Sequence, residues 1–226
     1  MTTATPNTNH IAQAQRMLEL QDELNTYTNR KDVADTGSDS WKDLGREWYR
    51  AIWMEAAEMM ERQPWKWWKS APESDLEQQQ IELVDIWHFL LSMFIEESID
   101  AETVAGSFFT GTGEPFKDQQ DAIEGVAAEA LNSESSVDIG LKFGRACKAF
   151  DLDFSKLYEY YVYKNVLNIF RQKHGYAEGT YQKIWNGKED NVHLAALKKR
   201  IDADGTGGED LYNFVYQQLE QVYKDE

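Results

Sequence analysis

Apolar residues recur every three to four positions along almost the whole chain, and nowhere do β-branched residues alternate with polar ones over a strand's length. That period predicts helices over 10–28, 41–62, 75–98, 119–131, 137–149, 153–173, 192–202 and 209–224, and so an all-α fold. Polar breaks at Asp32–Ser40 and Gln63–Ser74 separate the first three helices. No repeat of solenoid length is visible, and 226 residues suffice for one substantial domain, expected to run from 1 to 226.

One stretch departs from the pattern. Between Glu96 and Asp138 the periodicity weakens, Gly106, Ser107, Gly111, Thr112 and Gly113 accumulate, and eleven acidic residues face a single lysine. Such a segment is expected to be an acidic insertion, a solvated lobe or cap on a helical body. It carries much of the acidity of a chain whose net charge is −17. That charge argues against binding duplex nucleic acid or an anionic membrane, both of which need clustered Lys and Arg. An anionic small molecule stays compatible if a local basic cluster or a bound metal reverses the sign. No apolar run approaches the roughly 20 residues of a membrane span, and MTTATPNTNH lacks a leader's apolar core. The expected location is the cytoplasm, or the host's if the chain is viral. The single cysteine, Cys147, reads as a packing residue, and it leaves no thiolate cage for a metal. Asp202, Asp204, Thr206 and Gly207 imitate the start of a calcium loop, but Asn213 stands where the bidentate glutamate belongs. That segment reads as a helix-terminating loop.

Candidate chemistry enters with carboxylates on apolar helix faces. At 100° per residue, Trp48, Ala51, Ile52 and Met59 fall within about 60° of Glu55, and Glu58 borders the same face. Buried carboxylates are rare unless they are paired or bind metal; the ordinary reading here is an ion pair of Glu58 with Arg62, one turn on. The following helix, IELVDIWHFLLSMFI, is apolar nearly all round, yet Glu82, Asp85 and His88 recur along one strip. Two such carboxylate pairs facing each other across a bundle call for cations. An all-oxygen donor set favours Mg²⁺ or Mn²⁺ over zinc, and the absence of Glu-x-x-His argues against di-iron. Mg²⁺ commonly shares its site with phosphate oxygens. Lys164, Asn168 and Arg171 lie at i, i+4 and i+7 on one later face, followed by Lys183 and Lys188, as a phosphate site would need.

The string KNVLNIFRQKHGYAEGTYQKIWNGKEDN, with EAAE, PWKWWK, ELVDIWH and the early LQDELN, resembles the dimeric all-α deoxyuridine triphosphatases (dUTPases), within the wider all-α nucleoside triphosphate pyrophosphatases. The five blocks run from about residue 18 to 191, and the acidic segment and the tail match no motif. The resemblance implies a homodimeric helical bundle with a rigid core and a mobile cap. It implies Mg²⁺-dependent hydrolysis of dUTP, and of dUDP, to dUMP with release of pyrophosphate or phosphate. By this resemblance the metal ligands are Glu55, Glu58, Glu82 and Asp85, with two ions favoured over one. Base and sugar contacts fall on Gln21, Asn25, Trp67, His88 and Asn191; phosphate contacts fall on Lys164, Asn168, Arg171 and Lys183, with Asp190 helping to close the site. Glu55 or Glu58 would orient the attacking water or take its proton, and attack would come at the β-phosphorus.

Parts of this have independent support. Gln21 and Asn25 lie on the face of Ile11 and Leu18, and an amide matches the donor and acceptor edge of uracil. Trp67 could stack on the nucleoside, while Trp65 and Trp68 are assigned to core packing. Because an amide can flip to read cytosine, hydrolysis of dCTP, or of both nucleotides, stays open. A non-enzymatic alternative is an acidic helical interaction module, which would need exposed tryptophans.

Overall fold

The computed structural model describes residues 5–70, 76–204 and 211–224. Thr206 and Gly207 of the calcium-like segment, and Ala71 to Ser74 of the second polar break, lie outside the described residues. Nine α-helices are found among them: α1 (Thr8–Thr36), α2 (Trp48–Glu61), α3 (Leu76–Glu96), α4 (Ala101–Thr110), α5 (Gln119–Asn132), α6 (Ser136–Ala149), α7 (Phe154–Lys173), α8 (Asp190–Asp204) and α9 (Leu211–Lys224). The only strands among the described residues are β1 (Ile184–Trp185) and β2 (Lys188–Glu189). The fold is all-α, as the 3.6-residue period predicts. No helix among the described residues is long and apolar enough to cross a membrane.

Two compact units divide the chain. The first comprises Met1–Asp22 and Lys42–Tyr158; the second comprises Glu23–Trp41 and Glu159–Glu226. In the first, α2 packs on α3 and α5, and α6 on α3, α4 and α5. The enclosed helix is α3, whose Leu83, Val84, Ile86, Trp87, Leu90, Leu91 and Phe94 are buried on every side. Trp87 stacks on Phe143 with ring centroids 5.1 Å apart and meets Phe94 edge-on at 6.0 Å. Each such side chain, taken from water, contributes about 1.5–3 kcal/mol to folding. Cys147 is fully buried, a packing residue, and burial raises its thiol pKa.

The acidic segment departs from its expectation as a solvated lobe. It forms α4 and α5, whose Val104, Ala105, Phe108, Ala122, Ile123 and Val126 are buried in the first unit. The helices start at Asp100 and Asp118, whose side chains accept from the N–H groups of Thr103 (2.8 Å) and Asp121 (2.9 Å). Glycines of the neighbouring helix α6 let α4 approach closely. A Cβ on Gly144 of α6 would stand 2.2 Å from the carbonyl oxygen of Phe108, and one on Gly140 2.6 Å from Ser107 Oγ. The expected helix over 41–62 also divides. A 3₁₀ turn at Trp41–Leu44 is followed by Gly45 at φ 61°, and α2 begins only at Trp48. The first helix, conversely, continues through the polar residues after Tyr27 until Gly37, at φ 71°, closes it.

In the second unit Phe170 and Trp185 form an aromatic core, with ring centroids 5.3 Å apart, and Tyr223 of α9 packs on Trp185 at 5.1 Å. Asn186 and Gly187 adopt φ of 47° and 72°, the pair of positive values that a two-residue hairpin turn needs. The register pairs Ile184 with Glu189 and Trp185 with Lys188.

Candidate metal centre and phosphate-binding groups

Packing of α2 on α3 brings three carboxylates together within the first unit. One oxygen each from Glu55, Glu82 and Asp85 lies within 4.8 Å of the others. Glu82 and Asp85 are one turn apart on α3, so both face α2. Glu82 is buried and the other two are half-buried. Two like charges at this separation repel by roughly 3 kcal/mol at an effective dielectric of 20. A divalent cation would offset such repulsion, and the all-oxygen donors of the trio suit a hard ion such as Mg²⁺.

Glu58, one turn after Glu55, is exposed and lies outside this group. Arg62 does not make the i, i+4 pair with Glu58 that the spacing suggests. Its Nη2 instead reaches Glu82 Oε1 at 2.8 Å, where Gln78 Nε2 also donates at 3.0 Å. The strip continues along α3 to His88, which is buried and has its Nδ1 2.8 Å from the carbonyl oxygen of Val84. Buried Gln21 donates from Nε2 to Ser92 Oγ at 3.2 Å, and Ser92 donates to the His88 carbonyl at 3.0 Å. A polar path thus links Gln21, Ser92 and His88 inside the first unit. Ser92 was not among the expected residues, although it continues the strip one turn beyond His88.

The tryptophans correct the sequence reading. Trp65 and Trp68, assigned to core packing, are 40% and 57% exposed, and Trp67 is 89% exposed. They pack on one another instead, Trp68 meeting Trp65 and Trp67 edge-on at 5.4 and 5.3 Å. Trp65 Nε1 donates to the carbonyl of Met60 at 2.9 Å. Pro64 and the turn after α2 lift these residues off the helix before its apolar face can bury them.

In the second unit the cationic strip is organised around Arg171. Its Nε and Nη2 donate to the two oxygens of Asp190 at 2.8 and 2.9 Å, a bidentate pair. Asp190 is fully buried, and Tyr181 Oη donates to it at 2.8 Å. Burial alone would raise the Asp190 pKa, but the hydrogen bonds and charge of Arg171 hold it below the ordinary carboxylate value. Burial, with Asp190's hydrogen bond and charge, pushes Tyr181 far up, so its phenol stays a donor. At 3.4 Å from Asn191 Oδ1 and 3.5 Å from Asn168 Oδ1, Arg171's remaining contacts are long. Lys164 and Asn168 are half-buried on α7, and Asn25 is buried on α1. Lys183 is exposed and lies 3.6 Å from Glu189. Asn191 is exposed at the start of α8, its N–H donating to Asp190 Oδ1 at 2.7 Å. Asp190, expected to close the site over the ligand, therefore anchors Arg171. Tyr181 is a further anchor that spacing gave no reason to single out.

These features define an all-α helical bundle with a candidate divalent-metal centre on two packed helices. A family model described as dUTPase matches residues 13–176, and the chain belongs to that dUTPase family, whose members are pyrophosphohydrolases. The match spans Gln21, the acidic trio, Lys164 and Arg171, and stops before Tyr181, Lys183 and Asp190. No curated protein matches the chain.

Proposed function

We propose that the chain hydrolyses dUTP, and dUDP, to dUMP with release of pyrophosphate or phosphate, and so limits uracil in DNA while supplying dUMP. The observation that carries this reading is the close carboxylate trio of α2 and α3 in a chain of the dUTPase family. Glu55, Glu82 and Asp85 would hold Mg²⁺, for which Mn²⁺ could substitute, and four acidic groups counted with Glu58 leave room for two ions. When bound, such ions offset charge on phosphate oxygens and make water more acidic. Glu58, exposed one turn from Glu55, orients the attacking water or takes its proton. The attack at the β-phosphorus is taken from the family resemblance. Lys164, Asn168, Arg171 and Lys183 bind phosphate and offset charge on the departing group. Gln21, Asn25, Trp67, His88 and Asn191 contact base and sugar. The protein acts as a homodimer in the cytoplasm.

Exposure of all three tryptophans is what an interaction module would need. Family membership and the acidic trio favour the enzyme, in which an exposed Trp67 is available for stacking. Incubating purified protein with Mg²⁺ and dUTP, dCTP, dTTP or UTP, and measuring pyrophosphate, tests the reading. Preference for dUTP is expected; preference for dCTP would move the assignment to the alternative substrate, and no release from any nucleotide would defeat it.

A further inference from the structure

Arg62 is the last residue to take helical conformation at the end of α2, seven positions after Glu55, so two turns bring it back to the same face. Its guanidinium lies 2.8 Å from Glu82 Oε1. Glu82 is the buried member of the trio, with its side chain 9% exposed, while the Arg62 side chain is 49% exposed. A guanidinium therefore sits on the same carboxylate that a hard cation at the trio would use.

We propose that Arg62 is an internal counter-cation for the acidic trio, displaced from Glu82 when a divalent ion binds, and that it thereby sets the chain's metal affinity. This rests on the metal-binding reading of Glu55, Glu82 and Asp85. Three close carboxylates without a cation repel one another, and one nearby positive charge offsets part of that repulsion in the metal-free chain. A divalent ion and a guanidinium on the same carboxylate would repel each other in turn. The long, half-exposed arginine stem lets the head group move into water while its methylenes stay against the protein. Metal binding is then an exchange: the arginine leaves as the ion enters. Arg62 stabilises the metal-free chain and weakens metal binding by the same contact.

The test compares the wild type, Arg62→Gln and a control, Arg50→Gln. Arg50 stands on the same helix but pairs with Glu47 at 2.9 Å, so its loss changes the charge equally without touching the trio. Mn²⁺ affinity is measured by calorimetry or by electron paramagnetic resonance, and melting temperature is measured in chelator and in saturating Mg²⁺. Arg62→Gln is expected to bind Mn²⁺ about three- to tenfold more tightly than the wild type, the scale of a partly exposed ion pair. Arg50→Gln is expected to match the wild type. In chelator Arg62→Gln should melt below the wild type, and saturating Mg²⁺ should close that gap. Unchanged or weaker Mn²⁺ binding, a gain equal to that of Arg50→Gln, or a gap that persists in Mg²⁺ would overturn the role of Arg62 while leaving the metal site standing. Failure of the wild type to bind Mn²⁺ would overturn both.

Discussion

The charged groups of the two units are built on opposite plans. In the first, Glu55, Glu82 and Asp85 bring like charges together on packed helices, with Arg62 reaching one of them. In the second, Arg171 is matched oxygen for nitrogen by buried Asp190, which Tyr181 also binds. The acidic group gathers oxygen donors that could hold a divalent cation. The basic group is internally neutral at its centre, where the Arg171 charge is met by Asp190. One unit clusters like charges and the other pairs opposite ones.

The largest effect expected from breaking this contrast is at Asp190. Asp190→Ala would leave Arg171 without its buried partner and should cost about 3–5 kcal/mol of stability, read from chemical denaturation. The effect has a pH signature. Because the folded carboxyl titrates below its unfolded value, its stabilisation is present above about pH 4 and is lost as pH falls through the folded pKa. The gap between wild type and variant should therefore narrow below about pH 4; a gap independent of pH would mean that Asp190 acts by packing rather than charge.

A smaller effect is expected at Trp67, which is largely exposed and meets the ring of the likewise exposed Trp68. Trp67→Ala should raise the KM for dUTP about tenfold, in line with the loss of one stacked base, with almost no change in melting temperature. A fall in melting temperature with KM unchanged would restore the packing role that sequence reading gave to its neighbours.

The legibility of these features in the sequence follows the physics of each. Helix α3 is plain because its apolar residues run nearly all round, and Glu82 and Asp85 stand out against that background. Helix α4 is hidden because only Val104 and Phe108 among its buried residues are large and apolar, beside the small Ala101, Ala105 and Ser107. Both ends of α2 depend on turn geometry at Gly45 and Pro64, which periodicity does not report. The Glu58–Arg62 spacing suggested a local pair, whereas helix packing offered Arg62 the more buried Glu82. Asp190 and Tyr181 were beyond reach of spacing arguments, since a hairpin and a helix start bring them to Arg171. The Asn186–Gly187 dipeptide did carry the signal for that hairpin.

The most direct test of the central claim is the initial rate of pyrophosphate release from dUTP across a Mg²⁺ titration, for the wild type and Glu55→Gln. The wild-type rate should rise from near zero in chelator to a plateau. Glu55→Gln should fall by about a thousandfold or more at every Mg²⁺ concentration with its helical content unchanged, the scale of losing one essential charge-stabilising group. Hydrolysis in chelator, or a variant as fast as the wild type, would contradict the assignment of the trio as the metal centre of this dUTPase.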